Sequence, residues 1–301
     1  MSGFINNYYY GKAGKADYTP ESLPDTRVKL FFEMLRIHFS GLCAINLFYL
    51  IFCLPALVWS LINMSVLLAA ESDIASVWGN LMMYLVGMVP CLTIAGAGAP
   101  GLMYICRNWA RDQHAFMFSD FKDQVKANWK RGMVVGLING LSLLISYVAV
   151  MYYSQMTQNG LFWVIPEALV VMMLALWWMI NMLIYPMMVT YDMNLKTLIR
   201  NSALIAAARL PWSILFLLSG FLVPAFIAVF VPYGYLVMIL LYLVVGFALT
   251  GFIYASYAAS CFDRFLNPKI DGAPVNMGLR DKSLDEDDGE DDEDAGKPGK
   301  V

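Results

Sequence analysis

The side chains best equipped for chemistry in this 301-residue chain lie between residues 107 and 131. His114 with Asp112 could act as an acid–base couple, and an interfacial polar contact is the simpler use of the pair. The other histidine, His38, belongs to a different connector, so the two make no ligand pair. Cys43, Cys53, Cys91, Cys106 and Cys261 fall in or beside apolar runs with no CxxC spacing, which points to core residues rather than a zinc site or a disulfide framework. The run Gly96-Ala97-Gly98-Ala99-Pro100-Gly101 has the glycines of a phosphate loop, but no Lys-Ser/Thr follows and the stretch is apolar. With no paired acid, base or metal set, the chain reads as a non-enzyme without catalytic, cofactor-binding or metal residues. What remains is recognition chemistry. Arg107 and Arg111 carry planar forks that pair bidentately with carboxylate or phosphate. Asn108, His114, Asp120, Phe121, Asn128 and Trp129 surround them in sequence, and together the eight form a candidate partner-docking surface. The competing reading is that these charges only set topology and touch lipid headgroups.

The elements that must carry this connector are membrane spans. Hydrophobic residues make up 59% of the chain and charged residues 14%, with a mean hydropathy of +0.60, outside the range of soluble domains. The formal charge of -3 conceals a basic body, because nine acidic residues crowd into positions 285–294. Residues 1–39 lack a short apolar run ending in a cleavage site, so the first apolar helix is expected to insert and stay.

Read in order, residues 1–24 form a flexible cytoplasmic leader, residues 25–262 a membrane domain, and residues 263–301 an acidic disordered tail. Within the domain, Val28, Phe31, Phe32, Leu35 and Phe39 predict an interfacial amphipathic helix. Residues 40–70 and 74–106 are charge-free and exceed the roughly 20 residues a crossing needs. A second interfacial helix follows on Phe118, Phe121, Val125 and Trp129, then spans at 132–153 and 168–191 and a third interfacial helix on Leu195, Leu198 and Ile199. Residues 210–261 are long enough to cross twice, with the turn at Val231-Pro232-Tyr233-Gly234. The expected fold is therefore all-α and polytopic, with six transmembrane helices. All twenty Lys and Arg then fall on one side, against Glu71, Asp73 and Glu167 on the other, which puts both termini in the cytoplasm of a multi-pass cell-membrane protein. Small residues at 95–101 should let a neighbouring backbone approach closely. Asn46, Asn63, Asn139, Asn181, Thr93 and Ser142 read as interhelical hydrogen bonds worth ~1 kcal/mol each. Trp59, Trp78, Trp109, Trp129, Trp163 and Trp212 lie near span ends, most of them as belt anchors.

The connector also resembles a known family. Ala99-Pro100-Gly101 through Tyr104, Arg107-Asn108, Ala110-Arg111, His114-Ala115-Phe116, Ser119-Asp120-Phe121 and Lys126-x-Asn128-Trp129-Lys130 are similar to the signature of the YesL-like bacterial integral membrane proteins, a domain family of unknown function. Asn46-Leu47 and Phe52-Cys53-Leu54-Pro55 resemble the motif of its first span, although here residues 56–90 intervene before the pattern resumes. The resemblance implies a Gram-positive cell membrane and an accessory or interaction role beside a carbohydrate transport system. Besides that system or another membrane protein, the expected partner is the lipid bilayer, not nucleic acid. The alternative function is a passive transporter or channel for a small uncharged solute, which needs Asn139 and Asn181 to face one pore.

Overall fold

The computed structural model describes residues 23–69, 74–231 and 233–280. Residues 1–22 of the leader expected at 1–24, the connector acids Glu71 and Asp73, the turn residue Pro232 and the acidic block lie outside them. Among the described residues the chain is helical, with no strand. Helix α1 is Arg27–Ala69, α2 Ile74–Trp109, α3 Met117–Met156, α4 Val164–Met188, α5 Leu195–Ala208, α6 Leu210–Phe230, α7 Gly234–Leu241 and α8 Phe247–Phe265. A π-helical turn, Tyr242–Gly246, joins α7 to α8. Five helices are long and apolar enough to cross a membrane, or up to six if the bent pair of α5 and α6 counts as one span, a pattern compatible with a membrane location.

Two expected interfacial helices are not separate elements. The first is the opening of α1, a continuous 43-residue rod, because no proline or turn separates it from the span and extending a helix costs less than restarting one. Its buried side is Leu30 and Met34, in one core with Leu42 and Ile45, whereas Val28, Phe32 and Phe39 are exposed. The second is the opening of α3, where Phe121 is buried but Phe118 and Trp129 are exposed. The third, α5, is distinct. Asn194 caps it by accepting the Thr197 N–H at 2.8 Å, and α6 leaves it at 102°. Pro211, in the first turn of α6, has no N–H for α5 to bond, and the break falls at Arg209, at φ −120° and ψ 38°, so the chain restarts after it in a new direction.

The centre of the fold is the α2–α3 pair, whose backbones touch. A Cβ placed on Gly132 would lie 2.2 Å from the Gly96 carbonyl oxygen, and one on Gly136 would lie 2.3 Å from that of Leu92. Helices α1, α4 and α8 pack around this pair. Within the core, Asn46 of α1 is fully buried and bridges to the π turn: its Nδ2 donates to Tyr242 O and Leu243 O, and its Oδ1 accepts the Ala248 N–H, all at 3.0 Å. A π turn breaks the regular i→i−4 ladder, and the asparagine bonds three backbone groups at that break.

Candidate functional site

The residues between α2 and α3 form a tight corner. Gln113 N–H bonds back to Asn108 O at 2.8 Å and Asp112 N–H to Trp109 O at 3.2 Å, the Schellman pattern that ends a helix. Asp112 occupies the left-handed position at φ 52°, and partial burial raises its carboxyl pKa above the ordinary range. Asp120 closes the corner from the other side by accepting the Phe116 N–H at 2.9 Å, a carboxylate at the positive end of α3.

This corner sends the eight connector residues in different directions. Phe121 enters the core, edge-on to Phe48. Asn128 is buried and donates to Gln124 Oε1 at 3.3 Å. Asn108 is buried and accepts from Arg107 at 2.7 Å. His114 is exposed and packs edge-on against Phe116, while Trp129 is exposed with the Lys130 ammonium over its ring. Arg111 points inward at 7% exposure, where its guanidinium donates to Pro274 O at 3.3 Å and contacts Met277 Sδ at 3.2 Å. One continuous docking surface is therefore not what the fold presents. Trp109, expected near a span end as a belt residue, is also buried, stacked on His38 with ring centroids 4.6 Å apart.

What holds Arg111 is a segment sequence reading assigned to the tail. Helix α8 runs past the expected boundary at 262/263 to Phe265, and residues 266–280 fold back as a strap across the ends of α1 and α2. The strap is tied by a polar chain. Tyr191 donates to Asn267 Oδ1 at 2.6 Å, and Asn267 Nδ2 donates to Asp263 Oδ1 at 2.7 Å. Asp263 forms an ion pair with Arg27, which also donates to Met277 O at 3.0 Å. Burial pushes the Tyr191 hydroxyl pKa up to about 12, so it stays a donor throughout the physiological range. Arg27 thus pairs with Asp263, and Arg107 and Arg111 line with Asp263, Thr190 and Asn267 a cavity of about 10 Å³, room for about one water. This is a closed polar lock rather than an open pocket.

Arg27, Tyr191, Asp263 and Asn267 were not singled out by the sequence reading. Two signals could have found them. Asp263 and Asn267 stand four residues apart, on one helical face, and Met277 and Leu279 give the strap apolar anchors that the acidic block lacks.

No curated protein and no solved structure matches this chain. Residues 42–150, about a third of the chain, match a protein family of unknown function, DUF624, and that stretch takes in most of α1, all of α2 and most of α3, the glycine-seamed pair with the arginine corner between them.

Proposed function

We propose that this protein is a non-enzymatic interaction subunit of the cell membrane. It crosses six times with both termini in the cytoplasm, and it serves a membrane partner such as a carbohydrate-uptake system of the kind that the YesL-like resemblance implies. The observation that carries this reading is the outward face of the first half of α3. There Lys122, Lys126 and Lys130 alternate with exposed Phe118 and Trp129, next to exposed His114 and Phe116. Exposed aromatics beside cations on a rigid helix suit a protein contact better than a topology signal, which needs charge alone. A passive path for a small uncharged solute would need Asn139 and Asn181 in a common pore. Asn139 Oδ1 already accepts the Trp177 indole N–H at 2.9 Å, which favours the interaction reading.

The fold divides the eight docking candidates into two experimental groups. Trp129→Ala with His114→Ala should abolish photo-crosslinking of a partner from position 126 while leaving membrane level and thermal stability unchanged. Arg107→Lys with Arg111→Lys should instead lower thermal stability, because lysine cannot reproduce the planar donors that meet Asn108 and the strap. An unchanged crosslinking pattern in the Trp129/His114 variant would overturn the docking reading.

A further inference from the structure

Between α1 and α6, which both pack on α8 and leave a gap between them, lies an open cavity of about 460 Å³. Its polarity changes in the same direction along all three helices. At one end stand Arg27 of α1, Arg209 at the α5–α6 bend and Ser260 of α8. Further in, one turn along α1 is Phe31, two turns along α6 is Phe216, and two turns back along α8 is Ile253. At 1.5 Å per residue the polar and apolar ends of α8 are about 10 Å apart. That separates a headgroup depth from the start of the hydrocarbon.

The polar end carries a charge that no carboxylate of the described residues neutralises. Arg27 is paired with Asp263. Arg209 donates to Ser260 Oγ at 2.9 Å, contacts Cys261 Sγ at 3.7 Å, and lies 5.9 Å and 5.6 Å from the ring centres of Trp212 and Tyr257. Among the described residues no carboxylate pairs with it. Ser260, accepting from Arg209, keeps its own hydroxyl proton to donate. A guanidinium and a hydroxyl at one point, above an apolar wall, are complementary to an anionic phosphate carrying an acyl chain.

We infer that this cavity binds one anionic glycerophospholipid drawn from the surrounding bilayer, with its phosphate on Arg209 and Ser260 and the start of an acyl chain against Phe31, Phe216 and Ile253. The volume lies within the ~300–1,000 Å³ of ligand pockets and suits a headgroup and proximal chain rather than a whole lipid. The cavity shares no residue with the docking face of α3, so the inference stands apart from the interaction reading.

The test uses the full chain, purified and reconstituted into nanodiscs of either phosphatidylglycerol or phosphatidylcholine, with retained lipid counted by native mass spectrometry. The wild-type protein should keep one phosphatidylglycerol and no phosphatidylcholine. Arg209→Gln should weaken retention roughly tenfold or more, as loss of a charge-assisted hydrogen bond does. Ile253→Trp fills the apolar wall without touching either arginine and should also expel the lipid, which keeps the test decisive if Arg209→Gln fails to fold. Glycerol 3-phosphate, the same anion without chains, should not raise thermal stability at millimolar concentration. Equal retention of both lipids would overturn the assignment. So would phosphatidylglycerol binding that survives both substitutions, saturable glycerol 3-phosphate binding indifferent to Ile253→Trp, or a protein chain crosslinked into the cavity.

Discussion

Replacing Gly132 with leucine is expected to prevent α2 and α3 from assembling, because the place for a side chain is already occupied by backbone. The Gly96 carbonyl oxygen would lie 2.2 Å from the new Cβ, and Pro100 Cδ 3.3 Å from it. A clash with a flexible side-chain tip can be relieved by a rotamer change, but one with a carbonyl can be relieved only by moving a helix. Overpacking in ordinary cores costs about 1–3 kcal/mol. Here alanine alone should reach the top of that range, and leucine should exceed it enough to abolish recovery of folded protein from detergent. Gly79 is the control: it lies on the facing helix α2, and a Cβ there meets nothing within 4 Å, so Gly79→Ala should be neutral or stabilising by up to ~1 kcal/mol through helix propensity. Thermal unfolding of Gly132→Ala, Gly132→Leu and Gly79→Ala in one detergent checks the pattern. Equal stability of Gly132→Ala and Gly79→Ala would show that the two helices are not in backbone contact.

Asn46→Leu should be the most damaging polar-to-apolar change in the spans. Hydrogen bonds between membrane helices average only ~0.6 kcal/mol, since the separated helices find other partners. That average describes pairs in which each group has an alternative. Removing Asn46 strips a partner from Tyr242 O, Leu243 O and Ala248 N–H at once, on the inner side of a π turn where Val245, Gly246 and Ala248 are buried. At ~1–3 kcal/mol for each buried polar group left unsatisfied, a loss of about 3 kcal/mol or more is expected. Asn46→Asp keeps an acceptor for Ala248 N–H but loses the amide donor to both carbonyls, and should fall between wild type and leucine. Thermal stability together with amide exchange across residues 242–248 reads the effect. A destabilisation below ~0.5 kcal/mol with unchanged exchange would mean that the turn does not depend on this side chain. The same change separates Asn46 from Asn63, whose Nδ2 returns to the Trp59 carbonyl of its own helix at 2.9 Å. Asn63→Leu should cost far less.

Much of this architecture is legible in the sequence. Charge-free runs longer than a bilayer is thick have few alternatives to long apolar helices, and the small residues at 95–101 announced a close helix contact that Gly96 makes with Gly132 and Gly136. The turn expected at Val231-Pro232-Tyr233-Gly234 lies between α6 and α7, where Gly234 N–H bonds Val231 O at 2.8 Å. The five cysteines read as core residues, and four of them are buried and the fifth half-buried, all as free thiols.

Tertiary structure decided which way the side chains of those helices face. In a soluble amphipathic helix the polar face identifies the apolar one, but at the opening of α3 the stripe Phe118, Phe121, Val125 and Trp129 is apolar throughout, and the sequence does not say which part of it packs on the core. Phe118 and Trp129 therefore looked equivalent to Phe121, which alone enters the core. The arginines were misleading for a related reason. A charged residue just past a span is expected to reach water, yet Arg111 turns inward because the carbonyls of a distant strap are there to receive it. Those partners lie more than 160 residues away in the chain, and only folding brings Arg27, Tyr191, Asp263 and Asn267 to the same end of the bundle.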